Sequence, residues 1–144
     1  MPGCSSAYIP RPGPQISVLM EDGRPTYVRD GKKFDGGFLG GDIEEAVHGN
    51  PQAEEYAHEF KSGIVTGFVL SMIGAAGVVG GAVVAAAEVD QPRASNAVPV
   101  GGLAVMGAGV ILDLVGLIMV LNAQPHLFDA INSYNDAVRL QGSP

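Results

Sequence analysis

The chain has 144 residues, a formal net charge of −7 and a single cysteine. The acidic balance, with no basic stripe carrying interleaved aromatic residues, argues against nucleic acid as a partner. One cysteine excludes an internal disulfide framework. The hydrophobic fraction of 47% is ordinary for a soluble domain, but no Lys or Arg falls within residues 63–87 or 98–121. The distribution of apolar residues is therefore more informative than their total.

Residues 1–14 are rich in proline and are expected to form an extended tether. The first six residues, Met-Pro-Gly-Cys-Ser-Ser, resemble the end of a bacterial lipoprotein signal peptide, in which a small residue precedes the lipidated cysteine. The resemblance implies lipidation of Cys4 and a lobe on the outer side of the membrane. A free thiol in a disordered tail is the alternative interpretation.

Residues 15–49 are expected to form a small lobe. Short apolar segments separated by the turn pairs Asp22-Gly23 and Asp30-Gly31 predict a β meander. Asp42 followed by Glu45 has the spacing of a capping box and predicts a short helix. The glycine-rich run over 36–41 lacks a following Lys-Ser or Lys-Thr, so it indicates a loop rather than a phosphate cradle.

Two long apolar helices are the main expectation. Asn50 and Pro51 predict the start of a helix over 50–88, which enters the first apolar stretch as a polar stalk. After a loop over 89–97 the second helix is expected over 98–124, and about 20 helical residues suffice to cross roughly 30 Å of hydrocarbon. Pro125 is expected to kink or restart the chain into an amphipathic helix over 125–141.

These elements predict a membrane α-helical fold: an antiparallel two-helix transmembrane hairpin with a small N-terminal β-meander lobe and a C-terminal amphipathic helix. Because the connecting loop is short, both chain ends are expected on one side of the bilayer. The two polar stalks can then pair, and the expected contact places two aromatic residues of the first stalk against three residues of the second. These residues are Tyr56 and Phe60, then Phe128, Ile131 and Tyr134.

Small residues four apart in the two spans predict close helix packing, because van der Waals contact drives helix association in lipid. One ridge is expected to pack within the hairpin and another against a partner subunit or a second copy. The small residues expected to do this are Gly63, Gly67, Ala75, Gly77 and Gly81 in the first span, and Ala104, Ala108 and Gly116 in the second.

Asp113 is the one ionisable residue inside either span. A carboxylate there is costly unless it is protonated, paired or hydrated, and such residues are functional by default. Ser71 and Thr66 are its candidate hydrogen-bond donors, and Ser71 is expected at matching depth. A hydrogen-bonded structural Asp113 is favoured over one that carries protons or ions.

A metal site was also weighed. Glu55 and His58 have the Glu-x-x-His spacing of carboxylate-bridged metal sites, and His126 with Asp129 could face them. Such sites draw ligands from more helices than this chain supplies, so solvated, helix-capping charges are favoured and no metal or cofactor is expected. No Ser-His-Asp or Cys-His arrangement has supporting motif context, so no enzymatic activity is expected.

The hairpin resembles the rotor-ring subunit of rotary ATP synthases in its glycine-rich first helix, its loop containing Gln91-Pro92-Arg93 and its later carboxylate. The whole chain resembles small lipoprotein-like membrane proteins of Gram-negative bacteria. The expected function is a non-enzymatic accessory or scaffolding subunit of a bacterial membrane complex, in contact with lipid and with other subunits or itself. A homo-oligomeric ion- or proton-conducting protein that uses Asp113 is the alternative.

The basic residues of the lobe favour a cytoplasmic N-terminus by the positive-inside rule, whereas lipidation of Cys4 requires the outer side. The outer, periplasmic side is narrowly favoured, since a lipidated cysteine dictates topology.

Overall fold

The computed structural model describes residues 13–89 and 100–141. Within them the elements are β1 (Ser17–Glu21), β2 (Arg24–Arg29), β3 (Lys32–Asp35), α1 (Ile43–Ala46), α2 (Pro51–Val89) and α3 (Val100–Gln141). Two compact units result: a lobe unit, Met1–Ile64 with Ala123–Pro144, and a hairpin unit, Val65–Asn122. Cys4, most of the predicted tether and nearly all of the predicted 89–97 loop lie outside the described residues.

The three strands form an antiparallel sheet in the order β1-β2-β3, which confirms the predicted meander. Glu21 pairs with Arg24 and Arg29 pairs with Lys32, so each hairpin has a two-residue turn. Both turns are Asp-Gly pairs with positive φ at each residue. Such turns match the right-handed twist of the strands they join, which explains why this dipeptide occurs twice.

The core of the lobe unit forms where one face of the sheet meets α1 and the segment after it. Tyr27, Ile43 and Val47 are its largest fully buried side chains. Asp42 precedes α1 but makes no side-chain capping bond, so the predicted capping box is wrong. Glu45 is instead bonded to Lys32 of β3 at 2.6 Å, and this competing ion pair draws its side chain away from the helix start.

Helix α2 begins as expected, with Pro51 as its first residue. The Asn50 side-chain oxygen accepts hydrogen bonds from the backbone N–H groups of Gln52 and Ala53, both at 3.1 Å. Glu54 also accepts a bond from the Gly49 N–H at 2.8 Å. This start is therefore capped on both sides of the Asn-Pro pair.

Helix α3 is continuous from Val100 to Gln141 with Pro125 inside it. The predicted restart at Pro125, and with it a separate helix over 125–141, is therefore not present. Proline removes one backbone hydrogen bond and disfavours the interior of a helix, yet α3 continues through Pro125. Ala123 and Ala130, on either side of Pro125, are both buried.

Both long helices are long and apolar enough to cross a membrane. Their most apolar 18-residue windows have mean hydropathies of 2.2 and 2.4, and only 11% of each window is buried. The core helix of a soluble protein would be mostly buried. The described part of the chain is thus mostly helical, with two potential membrane spans and one small sheet.

Candidate functional site

Six glycines form the contact between α2 and α3 in the hairpin unit. Gly67, Gly74 and Gly81 of α2 face Gly116, Gly109 and Gly102 of α3 in reverse order, so the helices are antiparallel. All six are buried. We call this row the glycine seam.

The backbones at the glycine seam are too close for any side chain. A Cβ built on Gly74 would lie 2.5 Å from the Asp113 nitrogen and 2.6 Å from the Gly109 carbonyl oxygen. A Cβ on Gly67 would lie 2.6 Å from the Gly116 oxygen. The obstacles are backbone atoms, which cannot move aside as a flexible side chain can. The seam therefore requires glycine at these positions.

The seam repeats every seven residues, whereas the predicted ridges of small residues repeat every four. Of the predicted residues, Gly67, Gly81 and Gly116 lie in the seam. Gly77 lies beside it, and a Cβ built there would be 3.3 Å from the Gly109 Cα. Ala75, Ala104 and Ala108 are exposed on other faces, and Gly63 belongs to the lobe unit. Gly74 and Gly102 were not predicted as contact residues. A search for period seven would have found them, since this repeat keeps one seam facing its partner.

The outside of the hairpin unit is covered with large apolar side chains. Those exposed on it include Val69, Met72, Ile73, Val79, Val83, Leu103, Val110, Ile111, Leu114, Leu117, Ile118 and Leu121. Exposed apolar patches beyond a few hundred Å² are rare on soluble monomers and mark protein or membrane contact. The unit is thus inverted relative to a soluble domain, with its smallest residues inside and its largest outside.

Asp113 lies on this apolar exterior. It is exposed, while the Ser71 hydroxyl donates to its main-chain carbonyl oxygen at 3.3 Å. The structure therefore brings Ser71 to Asp113 at the expected level, but the bond does not reach the carboxylate. Thr66 is exposed and makes no hydrogen bond with Asp113 in the described chain. The tight approach of Gly74 leaves no room for the carboxylate between the helices.

The two stalks meet in the lobe unit, where the partner of Tyr56 is a residue outside the predicted set. Tyr56 stacks on His126 with ring centroids 6.3 Å apart, and His126 Nδ1 lies 3.1 Å from Glu59. Phe60 and Ile131 are buried. Phe128 is 61% exposed, and so lies mostly outside the packed contact.

Tyr134, the last predicted stalk residue, belongs to a clasp between the lobe and α3. One nitrogen of Arg29 donates to the carbonyl oxygens of Ala46 and His48 and to the Tyr134 hydroxyl, at 2.6, 3.1 and 3.2 Å. The guanidinium also lies over the rings of Phe34 and Tyr134. No sequence motif identifies Arg29, because its role depends on the main-chain carbonyl groups that the fold places beside it.

The Asn135 amide completes this clasp. It accepts from the Ile16 N–H at 2.7 Å and donates to the Ile16 carbonyl at 3.1 Å. It thereby satisfies both backbone groups of the residue that precedes β1. The polar lobe is thus tied to α3 by side-chain to backbone bonds.

The histidines of the described chain are each beside a glutamate. His48 lies by Glu54 at 2.9 Å, His58 by Glu44 at 3.2 Å and His126 by Glu59. Burial would raise the pKa of Glu44, but hydrogen bonds from Lys61 and His58 lower it below its usual value. Lys32 lowers the pKa of Glu45 by a direct hydrogen bond.

The residues weighed for a metal site do not come together. His58 and His126 pair with Glu44 and Glu59 rather than with Glu55. Asp129 lines an open cavity of about 410 Å³ in the lobe unit. Within the described residues no group of three or more His, Cys, Asp or Glu side chains is placed to hold a metal ion.

Comparison with known proteins gives no relative for this chain: no family model, curated protein or solved structure matches it.

Proposed function

We propose that the chain is a membrane-anchored, non-enzymatic accessory or scaffolding subunit of a bacterial membrane complex. The hairpin unit inserts into the bilayer, and the clasped lobe is its polar, partner-facing part. The observation that carries the proposal is the inverted hairpin, which has glycines inside and large apolar side chains outside. Only 11% of each apolar helix window is buried, so most of this apolar surface is uncovered. Lipid or another apolar helix is the environment such a surface requires.

The exposed faces of the hairpin support an assembly role. The glycine seam uses one face of each helix for the contact within the chain. Small residues remain on other faces, and Gly80 and Gly107 have open space where a Cβ would point. Ala104 and Ala108 are also exposed. A second helix can approach closely at such positions.

The experiment is a topology and assembly measurement on protein made in a Gram-negative host. With Cys4 replaced by serine, single cysteines at Asp22, Ser95 and Ser133 are labelled in intact cells and inverted vesicles with an impermeant maleimide. We expect 22 and 133 to label from one side and 95 from the other. Labelling of all three from one side would refute the hairpin anchor.

Native mass spectrometry of detergent-extracted protein then reports stoichiometry, partners and acylation of Cys4. A chain that is extracted by carbonate without detergent, or that is always monomeric and alone, would refute the scaffolding role.

The position of Asp113 favours one second candidate, a homo-oligomer that conducts protons or ions. A carboxylate on the outer surface is accessible to a pathway between subunits, whereas one sealed in the seam would not be. Proton flux across vesicles containing the purified protein separates the two functions. The accessory function predicts no flux above that of empty vesicles, and conduction predicts flux that Asp113→Asn abolishes.

A further inference from the structure

The exposed Asp113 carboxylate stands among apolar side chains near the middle of α3's apolar stretch. Val110, Leu114 and Leu117, one helical turn or less away, are all exposed. In a bilayer this surface faces hydrocarbon. Placing a charged Asp at the centre of a membrane helix is among the most costly substitutions on insertion scales. Hydrocarbon offers nothing that offsets this cost, whereas a partner of opposite charge would.

The described residues of the hairpin unit do not provide that partner. The Ser71 hydroxyl already donates to the main-chain oxygen of Asp113. The backbones of Gly74 and Asp113 are in close contact, which leaves no space for the carboxylate in the seam. No Lys, Arg or His occurs among the described residues of the hairpin unit. An ion pair within these residues is thus impossible.

A second copy of the hairpin is also a poor match. It would bring another carboxylate and, over the same described residues, no cation. Two like charges in a low-dielectric medium disfavour each other's ionised form. A helix with a lysine or arginine at mid-depth supplies the opposite charge, and pairing removes the cost that each charge incurs alone.

We propose that the Asp113 face of α3 docks a transmembrane helix of another protein that carries a lysine or arginine near the middle of the bilayer. This inference rests on the proposed membrane insertion. The carboxylate is the specific contact, and Val110 and Leu117 supply the apolar contact on either side. The partner is therefore defined by one buried basic residue in an otherwise apolar helix.

The test uses the full chain in phosphatidylcholine vesicles and synthetic leucine-rich transmembrane peptides as probes. One peptide carries a single central lysine, and its match carries leucine there. Energy transfer between labelled protein and labelled peptide measures association. We expect wild-type protein to bind the lysine peptide roughly tenfold more tightly than the leucine peptide. Asp113→Asn, which keeps the side-chain shape, should remove the preference, and Asp129→Asn in the lobe unit should leave it unchanged.

Three results would overturn the proposal: equal binding of both peptides, a lysine preference that survives in Asp113→Asn, or wild-type self-association that requires Asp113 and excludes the lysine peptide. The last result would assign the face to a second copy. Vesicle flotation keeps this test separate from the proposed function. Protein that does not float with vesicles refutes membrane insertion itself, whereas protein that floats but shows no preference refutes only the basic partner helix.

Discussion

The lobe unit and the hairpin unit are stabilised by opposite means. The lobe unit buries large side chains such as Tyr27 and Ile43 and fixes its parts with bonds from Arg29 and Asn135 to backbone atoms. The hairpin unit buries glycines and turns its large side chains outward. The first arrangement suits water, where hydrophobic burial drives folding. The second suits lipid, where close packing replaces it. The two units thus bury opposite classes of side chain.

The largest expected effect comes from filling the glycine seam. Gly74→Leu places a side chain against the Asp113 and Gly109 backbones, so the helices must separate. We expect a loss of about 3 kcal/mol or more in hairpin stability, at the upper end of overpacking effects. Gly80→Leu is the matched control, because a Cβ there meets nothing within 4 Å. Steric trapping of the two helices in bicelles measures both. Equal losses would show that the seam is not the contact.

The lobe unit is expected to lose stability in alkali through Tyr27. Burial raises the pKa of Tyr27 from 10.0 to about 12. Below pH 10 Tyr27 is protonated in both the folded and the unfolded chain, so its titration does not reduce the stability of the lobe. Between pH 10 and about 12 only the unfolded chain loses the proton, and the loss grows to about 2 to 3 kcal/mol.

Tyr27→Phe should remove this part of the pH dependence. The melting temperatures of wild type and variant, compared at pH 9 and pH 11.5, measure the difference. The variant's advantage should appear only at the higher pH. A constant difference at both values would contradict the buried phenol.

Arg29→Met tests the polar clasp of the lobe. It removes one cation that bonds two carbonyls and a hydroxyl, so we expect about 2 kcal/mol less stability. Arg24→Met, an exposed arginine of the same strand, should change stability by less than about 0.5 kcal/mol. Urea unfolding in detergent, followed by the near-ultraviolet signal of the tyrosines, provides the comparison. Similar values for both variants would mean that the clasp contributes little.

The smallest expected effect is in the hairpin. Ser71→Ala deletes the bond to the Asp113 carbonyl, and such bonds between membrane helices average about 0.6 kcal/mol. The same trapping assay should find a loss near that value. A loss as large as that of Gly74→Leu would mean that hydrogen bonding, not glycine packing, joins the helices.

The sequence predicted what local chemistry determines. The Asp-Gly turns, the Asn50 cap and the extent of the first long helix all follow from residue type and spacing. It did not predict where side chains find partners across the fold. Glu45 bonds to Lys32 instead of forming a capping box, and the Ser71 hydroxyl donates to the main-chain oxygen of Asp113 instead of its carboxylate.

The period of the glycine seam also depends on the fold rather than on the sequence pattern alone. Small residues occur at several spacings in both spans, so a period of four was as visible as the period of seven that the helices use. Only the facing of α2 and α3 distinguishes the two. Pro125 is similar, since proline predicts an interruption of the helix but α3 continues through it.

The central claim is that lipid covers the apolar exterior of the glycine-packed hairpin. Nitroxides placed singly at Met72, Ile73, Val79, Ile111, Leu114 and Ile118, all exposed, report this most directly in vesicles. Collisions with oxygen, which concentrates in hydrocarbon, should be frequent at all six positions. Collisions with a water-soluble nickel chelate should be nearly absent. Frequent nickel collisions at these positions would show that the hairpin lies in water and would contradict the account.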